Sequence, residues 1–186
     1  ASPGLFGGWS LVVIFAKDFN GKPRNISTYY GLDKITTNNK PIKISGFKLP
    51  SSGKVKSALS MFSGEGEYRY HDDWVKISDK KDSGYQYMGT ATNKDNIFDA
   101  VMDGISRDNI AGHSNNLKVN NDGVDIDNFD VSDKVKGFRD ADANISKFYI
   151  KWWSNNDYIT PSMLTFSTEL YVPELCYDRS EEHTSE

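Results

Sequence analysis

The stretch Leu164-Thr165-Phe166-Ser167-Thr168-Glu169-Leu170-Tyr171-Val172 decides the fold. Leu164, Phe166, Thr168, Leu170 and Val172 fall on alternate positions, and Thr165, Ser167, Glu169 and Tyr171 fill the gaps. Successive side chains of a strand point to opposite faces, so a period of two marks a strand buried on one side. Pro173 ends it, because proline cannot donate to a ladder. Just upstream, residues 147–153 read Lys-Phe-Tyr-Ile-Lys-Trp-Trp, an aromatic-rich composition that favours a second strand.

Working outward, 25–30, 41–47 and 54–62 read as further strands, punctuated by Asn20-Gly21 and Pro50-Ser51-Ser52-Gly53. The run 9–16 is apolar on both faces, which predicts a central strand covered on both sides. Ile97, Phe98, Val101, Met102 and Ile105 have helical spacing, so 94–106 is expected to form a short helix capped by Asp95 or Asn93. About ten strands without alternating long helices predict an all-β fold. The expected form is an antiparallel two-sheet β-sandwich, jelly-roll-like, with at most one short helix. The Cys…Trp…Cys spacing of an immunoglobulin domain is missing.

The last eight residues, Arg179-Ser180-Glu181-Glu182-His183-Thr184-Ser185-Glu186, read as the in-frame translation of a sequencing adapter and are set apart from the fold, as a fusion scar would be. With Ala1 rather than Met at the other end, residues 1–178 are expected to be a single domain in a fragment truncated at both ends. Without the tail the chain carries 21 basic and 23 acidic residues, a net charge of −2. That balance argues against a nucleic-acid partner, which needs a concentrated basic patch. No apolar run approaches the roughly 18 residues of a membrane span. The single cysteine, Cys176, excludes an internal disulfide framework and a multi-cysteine zinc site.

Three constellations carry candidate chemistry. In Asn120-Asn121-Asp122-Gly123-Val124-Asp125-Ile126-Asp127-Asn128-Phe129-Asp130, the side chains of Asp122, Asp125, Asp127 and Asp130 are candidate calcium ligands, since calcium takes six to eight oxygens. The order differs from an EF-hand loop. The competing reading is a turn at Asn121-Asp122-Gly123 feeding a strand whose Val124 and Ile126 face inward and whose Asp125 and Asp127 face water. Glu65 and Glu67 would point the same way on a strand, about 6.6 Å apart. A glycosidase pair needs that kind of separation, but a polar glycine-punctuated loop explains the segment better. Trp152 and Trp153 are adjacent, so in a sandwich one of them faces outward, where it either stacks on a sugar ring or partner surface or is covered by a loop. No nucleophile elbow, P-loop, dinucleotide fingerprint or HExxH helix is present in the sequence.

The segments "GGWSLVVIF…PRNISTYYG" (7–31), "GEGEYRYHDDWVKI" (64–77), "NNDGVDIDNFDV" (120–131) and "PSMLTFSTELYVPELCYD" (161–178) occur in this order. Together they resemble the N-terminal β-rich domain of very large, repeat-bearing bacterial surface proteins of adhesin-like type. The segments 78–96 and 106–118 depart from that pattern. The resemblance implies a secreted, extracellular or cell-surface location and a non-enzymatic role in attachment or surface structure. It also implies glycans or other surface molecules, and downstream repeats of the same chain, as partners. The alternative is a carbohydrate-binding module beside a downstream catalytic domain.

Overall fold

The computed structural model describes residues 11–14, 23–31, 34–37, 39–49, 55–64, 71–89, 94–99, 124–138, 146–155 and 158–170. Among these are eight strands: β1 Arg24–Tyr30, β2 Ile42–Phe47, β3 Ser57–Gly64, β4 Asp73–Ser78, β5 Gln86–Tyr87, β6 Val124–Asp130, β7 Ser146–Ser154 and β8 Thr160–Glu169. One short helix, α1, covers Ser132–Lys136. The strands form two antiparallel four-stranded sheets in the orders β1-β8-β3-β6 and β2-β7-β4-β5. Strand 1 pairs with 8, 2 with 7, 3 with 6 and 4 with 5. This is the order of an antiparallel ribbon folded at its middle and rolled into two layers, a jelly roll.

The alternation read in 164–168 holds: Leu164, Phe166 and Thr168 are buried, and Thr165, Ser167 and Glu169 lie on the other face. Burying one face of each sheet against the other is what holds the layers together. Phe166 of the first sheet meets Phe47 and Phe148 of the second, at ring-centroid distances of 4.6 and 5.1 Å. Phe47 reaches this cluster through a bulge. The register slips between Ser45 and Phe47, and Gly46 takes φ +90°, a conformation side chains resist. Helix α1 closes one flank, burying Val135, and Phe138 just beyond it stacks on Phe148.

Two expectations fail. Leu11–Ile14, the described part of the expected central strand, form no strand and are exposed, Leu11 by 76%. Strand propensity measures fit to a pleated, half-buried surface, and no described strand pairs with these residues. The stretch 94–99 is turn and bridge rather than helix; 100–106 lie outside the described residues. The cause is non-local. The buried Asp73 carboxylate accepts the backbone N–H groups of Ile97 (2.7 Å) and Phe98 (3.2 Å). Asp72 and Asp73 in turn donate their N–H groups to the Asp95 carbonyl. So anchored, Ile97 and Phe98 both enter the core.

Candidate functional site

The outer face of the β2-β7-β4-β5 sheet is built by alternation. In β4, Val75 and Ile77 go into the core, so Trp74 and Lys76 emerge on the outside. In β7, Phe148, Ile150 and Trp152 are buried, and Lys147, Tyr149, Lys151 and Trp153 emerge. The register sets Trp74 directly opposite Trp153 and Lys76 opposite Lys151. Tyr87 of β5 lies opposite Lys76, and Lys43 of β2 opposite Tyr149.

The rings interlock. The Trp74 and Trp153 indoles stack in parallel planes, 1° apart in tilt, with centroids 5.7 Å apart. Tyr87 meets Trp74 edge-on at 6.1 Å. The Lys76 ammonium sits 3.9 Å from the centroid of Trp74 and 4.0 Å from that of Tyr87. Lys151 lies 6.0 Å above Tyr85. Like charges directly opposite each other normally destabilise a sheet. Here the Lys76 and Lys151 charges rest on ring faces, whose negative quadrupole attracts cations. Among the described residues the salt bridge of the molecule, Arg24 to Glu169 at 3.7 Å, is on the other sheet. Among the described residues none of the lysines of the aromatic face forms an ion pair. Burial, then the nearby charges of Asp82 and Tyr149, push the Tyr85 hydroxyl above its ordinary pKa, and it donates a hydrogen bond to the Lys81 carbonyl at 2.6 Å.

Of the two tryptophans singled out from sequence, Trp153 lies on this face and Trp152 is buried on the inner side. Trp74, Lys76 and Tyr87 escaped the sequence reading. The signal was there in Asp73-Trp74-Val75-Lys76-Ile77, where Val75 and Ile77 claim one face and leave Trp74 and Lys76 on the other.

The acidic residues take unexpected positions. Asp125 and Asp127 are buried, with Asp125 at 0% exposure, opposite Ser63 and Met61 on the inner side of β3. The expected inward placement of Val124 and Ile126 is thus reversed. Phe129 shares their parity, lies opposite Leu59 and packs on the core, so the two aspartates are carried inward with it. Both have interaction partners. Asp130 lies on the outer side, bonded to the hydroxyl and the N–H of Ser132, which with Lys56 and Lys134 nearby hold its carboxyl below the ordinary carboxylate range. The four candidate calcium ligands are therefore not gathered on one face, and Asp122 lies outside the described residues. Among the described residues no group of three His, Cys, Asp or Glu side chains is placed to hold a metal. Glu65, Glu67 and Cys176 also lie outside them. No described helix is long and apolar enough to cross a membrane.

Comparison with family models, with curated proteins and with solved structures finds no match to the chain.

Proposed function

We propose that this domain is a non-enzymatic attachment module of a large bacterial surface protein, and that it binds acidic glycans through the outer face of the β2-β7-β4-β5 sheet. The observation that carries this reading is the row Trp153, Trp74, Lys76 and Tyr87 running across three adjacent strands. Indole and phenol rings offer a flat apolar surface for the C–H face of a sugar. One face of Trp153 is used by Trp74, and no other described ring contacts it. Tyr87 is 41% exposed. Lys43, Lys76, Lys147 and Lys151 emerge beside these rings, and among the described residues none of them forms an ion pair. An anionic ring polymer complements both features, and the lysines would steer it in. The jelly roll also occurs in lectin domains, which is analogy of fold alone.

Calorimetric titration with polygalacturonate, with a neutral glucan and with a single-stranded oligonucleotide tests the reading. Expected is binding of the polyuronate that weakens sharply in about 1 M salt, where the screening length is about 3 Å, and that is lost in Trp153→Ala. Preference for the oligonucleotide would sink it. A carbohydrate-binding module serving a catalytic domain elsewhere in a longer chain is the second reading, favoured by the ring stack; it predicts salt-insensitive binding of the neutral glucan.

A further inference from the structure

A second feature lies inside the sandwich and is independent of the sheet face. Where the edge strands β1 and β2 face each other, the layers gape and leave a cavity of about 410 Å³. Ligand pockets typically run from about 300 to 1,000 Å³, so this one is of small-molecule size. Its walls come from both layers: Leu164 and Met61 on one side, Ile44 and Trp152 on the other, with Phe98 between. Among the described residues no charged side chain lines it. At its mouth Tyr30 is 92% exposed and Ile42 43%.

Two polar groups break the apolar lining. Trp152, only 4% exposed, and Ser63, only 1% exposed, both belong to the cavity wall. The Trp152 Nε1–H and the Ser63 hydroxyl are buried and have no hydrogen-bond partner among the described residues. An unsatisfied buried donor carries its whole desolvation cost, and each such group in a folded protein asks for an explanation. Indole can only donate and a hydroxyl can do both, so the missing partner is an acceptor. The described wall offers no charge to offset the dehydration of an ionised group, so it suits an uncharged one.

We infer that this cavity is a binding site for an uncharged lipophilic small molecule, with an acyl or fused-ring body and one oxygen acceptor that bonds to Trp152 Nε1 and Ser63 Oγ. The body replaces the missing dispersion contacts of the wall, and the acceptor sets its orientation.

Nile red, a neutral ring compound with a carbonyl acceptor, is a suitable probe. Fluorescence titration of the full chain is expected to show saturable one-site binding. A Cβ built at Gly31 meets no atom within 4 Å, so the mouth tolerates filling. The double variant Gly31→Phe/Ile42→Trp should abolish binding with little change in melting temperature. Trp152→Phe, which keeps most of the ring and loses the donor, should weaken binding about tenfold, and Ser63→Ala should weaken it less. No saturable binding, or binding that survives the double variant, overturns the site. Affinity unchanged in both Trp152→Phe and Ser63→Ala overturns the assigned hydrogen bonds. If Trp152→Phe does not fold, Ser63→Ala and the double variant still decide. Loss of polyuronate binding in Trp153→Ala leaves all of these outcomes untouched.

Discussion

The two sheets share a core and differ on their outer faces. On β1-β8-β3-β6 the exposed polar groups find one another: Thr28 with Thr165, Ser60 with Asn128, and Arg24 with both Ser167 (3.1 Å) and Glu169. Cross-strand hydroxyl pairs and one ion pair satisfy that surface locally. On β2-β7-β4-β5 the same pleat presents indoles, phenols and lysines. Their mutual contacts stabilise the sheet yet leave ring surface and net positive charge facing out. A face whose groups are matched among themselves has little to offer a partner. A face with charge and flat apolar area left over does.

The largest expected effect strikes both faces at once. Phe166→Ala removes the ring that joins the layers and should cost about 3–5 kcal/mol, read as a lower urea midpoint with loss of any binding. Asp73→Ala leaves the Ile97 and Phe98 N–H groups without their acceptor and should cost about 2–3 kcal/mol, by the same measurement. The faces separate at the next step. Trp153→Ala should lower stability by about 1 kcal/mol and weaken polyuronate binding at least tenfold, whereas Thr165→Ala on the opposite sheet should leave binding intact. Equal loss in both variants would erase the distinction between the faces. Lys76→Met should cost about 0.5–1 kcal/mol of stability and reduce the salt dependence of binding. The smallest effect concerns Asp130. Ser132 depresses its folded pKa, so its contribution is complete above the ordinary value of 3.8 and is lost as pH falls below that toward the folded value. Asp130→Asn should therefore lower the urea midpoint slightly at neutral pH, and the gap to the parent should close in acid.

How legible this was depends on where each residue's partner lies. Strand β8 could be read because Leu164, Phe166 and Thr168 face a core of their own kind. β7 was legible for the same reason, to the point that one of Trp152 and Trp153 had to face outward, though not which. The jelly-roll class followed from the number and shortness of such segments. β6 was read as a strand, but facing the wrong way, since two aspartates outvote one phenylalanine in any local count. Only the pairing of Phe129 with Leu59 breaks that tie, and the pairing is invisible from within the segment. The 94–99 stretch failed likewise, because its backbone answers to Asp73, more than twenty positions away. At the candidate site Trp153 could be foreseen only as one of a pair with Trp152. Its neighbours Trp74 and Tyr87 join it only through register.

The pairing of β1 with β8 has a mechanical consequence. Arg24 lies opposite Glu169, and one step further out the Leu170 N–H donates to the Pro23 carbonyl at 2.8 Å. The first and last of the eight described strands thus begin and end side by side. A tensile load carried along the polypeptide through both points would pull the β1–β8 ladder open like a zipper, one rung at a time. It would not shear all the rungs together. Loaded through both of these strand ends, the sandwich would yield early under traction; gripped by its aromatic face and one strand end, it would be loaded along a different axis.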